Sequence, residues 1–141
     1  MSIENNKQLI CDYIEKVVNT GNVDDIEKYI SPDYYEGNKP NGRIVGIEGA
    51  KQHILGVRKT YPDLHLTIEQ QIAEGDWVVT RITARGTHQG TWLGIKPTGK
   101  KVEITGVNIE KVINGRIIEH GGAANMLEAL LGIGAIKVVS E

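Results

Sequence analysis

Residues 86–119 read GTHQGTWLGIKPTGKKVEITGVNIEKVINGRIIE, and the fold follows from this stretch. Two alternating segments flank a Gly/Pro loop around Pro97-Thr98-Gly99, and Asn114-Gly115 turns the chain into a third strand. That pattern is an antiparallel meander. One face of such a sheet has to be covered, and the helical patterns of the first half are the available cover. A curved sheet backed by helices makes a cone with a pocket, which shifts the question to what the pocket holds.

Upstream, Leu9, Ile10, Tyr13, Ile14, Val17 and Val18 recur at three- and four-residue intervals. They predict an amphipathic helix from about Ser2 to Thr20, capped by Ser2 and ended by Gly21. A short helix carrying Ile26, Tyr29 and Ile30 follows, and Ser31-Pro32 stops it. Tyr34 and Tyr35 then alternate in a short extended segment, before a polar loop with Gly37, Asn38, Pro40, Asn41 and Gly42. A third helix runs from about Ile47 to Thr60. From Leu64 the period becomes two: Leu64, Leu66 and Ile68 alternate with polar residues, and Gly75-Asp76 is a turn. Strands are expected over Trp77 to Gln89, Lys101 to Ile113 and Arg116 to His120, with Trp77 in the core. The tail, Ala123 to Ala135, reads as helical or coiled, with a Leu/Met stripe suited to filling the cone or forming a dimer seam. Helices first and strands later give an α+β fold: a cone of about three N-terminal helices packed on a curved, mostly antiparallel sheet.

At 141 residues, one domain over 1–141 is expected. Lys and Arg are scattered and the formal net charge is -2, which argues against nucleic acid as a partner. No apolar run has the length of a membrane span. The polar start MSIENNKQLICDYIEK is unlike a secretory leader, so a cytoplasmic location is expected. Cys11 is the only cysteine, which excludes an intrachain disulfide; with no CxxC pair and no HExxH, a zinc site has no support.

Several strings, taken in order, resemble the SnoaL-like polyketide cyclase (ester cyclase-like) family, part of the nuclear transport factor two-like, cystatin-like superfamily. They are Asn19-Thr20-Gly21-Asn22, Ser31-Pro32-Asp33-Tyr34, Gly46-Ile47-Glu48-Gly49 and Tyr61-Pro62-Asp63-Leu64. Downstream come Gly86-Thr87-His88, Pro97-Thr98-Gly99-Lys100 and Asn114-Gly115-Arg116-Ile117-Ile118-Glu119-His120. The resemblance implies a cone-shaped pocket, usually in a homodimer. It also implies ring closure of an aromatic polyketide by intramolecular aldol condensation, with no metal or cofactor. The superfamily hosts isomerases, dehydratases, hydrolases and non-catalytic binders as well, so the fold alone chooses no chemistry.

The family typically carries Trp after Glu-His, then an acid at once or a few positions on. Here those positions are Gly121, Gly122 and Asn125. The family often has His or Asp where Asn108 stands, and a His in the loop near Gly37-Asn38. The departures fall on the pocket's chemistry and spare the fold.

The remaining candidates for proton transfer are His120, whose ordinary pKa of about 6.5 suits neutral pH, and Glu119, if buried. A solvated or carbonyl-bonded His120, and a Glu119 paired with Arg81, Arg85 or Lys111, are the structural alternatives. Asn108 would orient the substrate carbonyl. Tyr34, Asn38, His88, Trp92 and Asn125 are the candidate ligand-binding residues, while His53 and His65 read as surface positions. Two registers are open at the last hairpin. A two-residue type I′ turn would pair Asn108 with Gly121, on the face of Glu119. A three-residue loop with a G1 bulge would pair Asn108 with Gly122, on the face of His120. The Asn-Gly pair favours the first, and the resemblance favours the second. The leading function is a cofactor-free cyclase, isomerase or hydrolase acting on a small apolar carbonyl compound. The alternatives are a non-catalytic binder of small hydrophobic molecules and, against the habit of such cones to keep a cavity, a structural dimerisation module.

Overall fold

The computed structural model describes residues 2–38 and 42–140, so Pro40 and Asn41 of the expected polar loop lie outside the described residues. Ser2 caps the first helix, α1 (Ile3–Tyr13), its hydroxyl oxygen accepting from the Asn5 amide at 3.0 Å. The helix continues as a wider π-helical segment, Ile14–Val18, in which the Asn19 amide reaches back to the Ile14 carbonyl. The apolar stripe seen in the sequence faces inward: Ile10, Ile14 and Val17 are buried with Ile26, Ile30, Val78, Val112 and Ile117. The expected second helix is a single 3-10 turn, Ile26–Lys28.

Strand β1 (Ile30–Glu36) and the two-residue β2 (Arg43–Ile44) lead into α2 (Gly46–Thr60). The meander is β3 (His65–Glu74), β4 (Trp77–Thr87), β5 (Lys101–Ile113) and β6 (Arg116–Ala124), followed by α3 (Met126–Gly132). These strands form one six-stranded sheet in the order β2-β1-β6-β5-β4-β3. Every pairing is antiparallel except β1 with β6.

Two clamps fix the helices on the sheet. Asn19 exchanges two hydrogen bonds with the Leu66 backbone, at 3.0 and 2.7 Å. Arg58 donates to the carbonyls of Val18, Pro62 and Leu64, tying the end of α1 to the α2–β3 connection. At the far end a second apolar cluster, Tyr61, Leu64, Val102, Ala129 and Ile133, seats α3 against the sheet. The tail thus fills one end of the cone.

Two further expectations differ in detail, and the tyrosine alternation holds. β6 runs on to Ala124 rather than ending near His120, so the tail helix starts later. Trp77 is not core: it lies 37% exposed with the Lys111 ammonium 5.7 Å from its ring centroid. Of the two tyrosines, Tyr34 is buried, while Tyr35 is the register partner of Glu119 and packs over Gly42.

Candidate active site

The site is assembled by a break in the alternation of β6. The turn is the two-residue form: Ile113 pairs with Arg116, and Asn114 and Gly115 both have positive φ, 50° and 74°. Continued unchanged, that register would place Asn108 opposite Gly121 and turn His120 outward. Instead the pairing steps from Val112–Ile117 to Lys111–Glu119, leaving Ile118 as an extra residue. Asn108 then faces Gly122, and Glu110 faces His120. The turn matches the Asn-Gly signal and the register matches the resemblance. The shift is made by a bulge inside the strand, not by a three-residue loop.

The consequence is a row of side chains across the sheet. Arg43 pairs with Glu36, Glu36 with His120, His120 with Glu110 and Glu110 with Val78. Cross-strand partners share a face, so charges alternate along one line: guanidinium, carboxylate, imidazole, carboxylate. His120 Nδ1 lies 3.1 Å from Glu36 Oε2 and 3.3 Å from Oε1. The ring's other nitrogen, Nε2, makes no hydrogen bond to a described residue. The Asn38 amide donates to Glu36 Oε1 at 3.1 Å, and the Asn38 side-chain oxygen accepts from the Gly122 amide at 3.2 Å. Asn38 therefore ties Glu36 to the strand that carries His120.

Burial sets the ionisation. Burial opposes an imidazolium at His120, but the Glu36 hydrogen bond and the charges of Glu110 and Glu36 outweigh it and raise the pKa above 6.5. Burial also opposes the Glu36 carboxylate, but the His120 hydrogen bond and charge and the Asn38 amide bring its pKa below 4.5. Glu110 is 3% exposed and accepts no hydrogen bond from a described residue. Burial pushes its pKa up to about 6, with the His120 charge opposing and the Glu36 charge adding.

Beside the Arg43–Glu36 end of this row lies a cavity of about 380 Å³. Tyr13 of α1, Tyr34 and Glu36 of β1, Arg43 of β2 and Gly49, Ala50, Gln52 and His53 of α2 line it. Burial raises both phenol pKa values well above 10, with Glu110 and Glu36 adding at Tyr13, and Tyr13 followed by the same carboxylates adding at Tyr34. Both hydroxyls therefore stay protonated donors. Neither hydroxyl has a hydrogen-bond partner among the described residues.

A family model for SnoaL-like polyketide cyclases matches residues 8–132. The chain belongs to the SnoaL-like polyketide cyclase family. It is 31% identical over 104 residues to the nogalonic acid methyl ester cyclase of Streptomyces nogalater, covering 72% of this chain and 78% of that protein. It is also 31% identical over 104 residues to the aklanonic acid methyl ester cyclase AcmA of Streptomyces galilaeus, covering 72% of each. Among solved structures it is similar to AclR of Streptomyces galilaeus, described as a candidate hydroxylase. The TM-score is 0.85 at 30% identity, over 99% of this chain and 91% of that one.

Within this SnoaL-like frame the sequence candidates separate. His120, Asn108, Tyr34 and Asn38 gather around the row: Asn108 stands on the face of Glu110 and His120, between Thr80 and Gly122. Glu119 lies on the opposite face, between Tyr35 and Lys111. His88 is fully buried, at the other end of β4 and beyond it, with Nδ1 3.0 Å from the Thr98 hydroxyl and its ring against Tyr61 and Trp92. Trp92 belongs to the apolar cluster that seats α3, and exposed Asn125 is the N-cap residue of that helix.

Glu36, Glu110, Tyr13, Arg43 and the cavity position of His53 do not stand out as site residues in the sequence. Two are legible by parity all the same: Glu110 is two residues from Asn108, and Glu36 two from Tyr34, so each shares its neighbour's face. The glycines also mean something different from a lost pocket lining. Gly121 pairs with 40% exposed Ile109, so an indole there would stand on the outer face. Gly122 has φ 137°, and a Cβ on it would meet the Val107 carbonyl oxygen. This backbone excludes a side chain, acidic or otherwise.

Proposed function

We propose that this protein is a cofactor-free acid/base catalyst of the SnoaL-like type, acting on a small, largely apolar carbonyl compound through His120. The observation that carries the reading is the Glu36–His120 pair beside a buried second carboxylate, Glu110. Glu36 holds the Nδ1 side of the ring and leaves Nε2 as the working nitrogen. In the neutral ring Nε2 takes a proton from the carbon next to the substrate carbonyl. The enolate oxygen accepts a hydrogen bond from Tyr34 or Tyr13, whose protonated phenols suit that task. The enolate carbon bonds to a second carbonyl carbon of the same molecule, and the resulting alkoxide takes the proton back from Nε2. The enzyme ends as it began. Glu36 and Glu110 stabilise the imidazolium present between the two transfers. The cavity volume lies within the usual range for small-molecule sites.

The experiment is deuterium exchange at the α-carbon of α-tetralone in D2O, followed by NMR. The reading requires exchange above the buffer rate that His120→Asn removes. Binding of the ketone without exchange would favour the non-catalytic binder instead.

A homodimer belongs to the same reading. On the face opposite the cavity, Ile72, Val79, Ile109 and Gly121 form a continuous row, with Ile72 58% and Ile109 40% exposed. Sedimentation velocity should give twice the chain mass, and Ile109→Lys should give the monomer.

A further inference from the structure

We infer that the cavity carries a second recognition point, an anion subsite at Arg43, and that the substrate is a carbonyl compound bearing a free carboxylate. The inference rests on the cavity reading above and adds the identity of one substrate group.

Arg43 is the register partner of Glu36, so the two side chains share a face and an ion pair between them would be the ordinary outcome. The pair does not form. The Glu36 carboxylate is taken by His120 and the Asn38 amide, and Arg43 makes no ion pair or hydrogen bond to any described residue. The guanidinium therefore lines the cavity with its five donors uncommitted. Gln52 of α2 lines the same cavity and adds an amide. A guanidinium fork matches a carboxylate through two parallel hydrogen bonds, whereas a methyl ester offers only neutral acceptors.

The charge of the site permits an anion. With His120 protonated and Glu36 ionised, that pair is neutral. In the neutral-ring form Glu36 is uncompensated, and Glu110, which loses its proton above about 6, adds a second negative charge. The preference for an acid should therefore weaken as pH rises through the His120 titration. The other basic groups of the cavity are Arg43 and His53, whose charge favours the Glu36 carboxylate, and Arg43 stands at the opposite end of the row from Glu110. A ligand that places its carboxylate on Arg43 directs its apolar body past Glu36 toward Tyr13 and Tyr34. The enolisable carbonyl then stands at the phenols.

The test compares a tetralone carboxylic acid with its methyl ester, by calorimetric binding and by α-carbon deuterium exchange, at low and moderate salt. The wild-type protein should bind the acid at least about tenfold more tightly than the ester. Arg43→Ala should bring the two within about twofold by weakening the acid alone. Arg43→Lys should restore part of the difference. Arg43 is exposed, so these variants are expected to fold. Equal binding of acid and ester by the wild type, or an acid preference that survives in Arg43→Ala, would overturn the anion subsite and leave the acid/base reading standing. If neither compound binds, the cavity reading fails and the subsite falls with it.

Discussion

Glu36 and His120 are register partners across the sheet's parallel strand pair, and their side chains meet at 3.1 Å. The ring is thereby held through Nδ1. In an NMR titration, the His120 imidazole should titrate above 6.5, and Glu36→Gln should lower that value. Stability should follow. The His120 pKa is raised by folding, so its contribution is complete below 6.5 and is lost as pH rises through the folded value. The Glu36 pKa is lowered, so its contribution is complete above 4.5 and is lost as pH falls through the folded value. The pair stabilises most between those limits, and the loss from Glu36→Gln, read by urea unfolding, should be largest there.

Glu110 behaves in the opposite sense. Burial lifts its carboxyl from 4.5 to about 6, so stability falls as pH rises through that interval. The cost above pH 6 is about 2 kcal/mol. Glu110→Gln should recover it: relative to wild type, the variant gains stability between pH 4.5 and 7 and no more beyond. The same variant should lower the His120 pKa, since one of the two carboxylates that raise it is gone. A stability difference that does not change with pH would show that Glu110 is not held protonated by its surroundings.

Restoring an acid at position 122 should fail. The Cβ of Gly122→Asp would collide with the Val107 carbonyl, and φ 137° suits glycine. A loss of about 2 kcal/mol or more in chemical denaturation is expected, with no gain in exchange activity. A stable, more active Gly122→Asp protein would mean that the strand adapts.

Tyr34→Phe removes a hydroxyl that bonds to no described residue, so folding stability should change by under about 1 kcal/mol. If the phenol donates to the enolate, exchange should fall about a hundredfold, mostly in kcat. An unchanged rate would move that role to Tyr13.

The meander was legible because alternation and an Asn-Gly turn are local signals, and Lys101–Ile113 appears at its expected bounds. The end of β6 was not. Gly121-Gly122-Ala123-Ala124 has no strand preference of its own and is extended because β5 pairs with it. The Ile118 bulge leaves no mark in the residue pattern, yet it decides that His120 rather than Glu119 faces Glu110. An aromatic residue at the start of a strand reads as core, but the face of Trp77 is set by the β4–β5 register, which a single strand does not reveal. Glu36 and Glu110 were readable by parity with Tyr34 and Asn108, but which carboxylate meets the imidazole depends on the β1–β6 parallel pairing between distant segments.

The central claim is that His120 Nε2, held by Glu36, moves the substrate proton. The pH dependence of α-tetralone exchange tests it most directly. The account predicts a rate that climbs with pH along a single imidazole titration above 6.5 and then levels, with the climb displaced to lower pH in Glu36→Gln and absent in His120→Asn. A rate that stays flat across that range, or a profile that survives the loss of the imidazole, would contradict it.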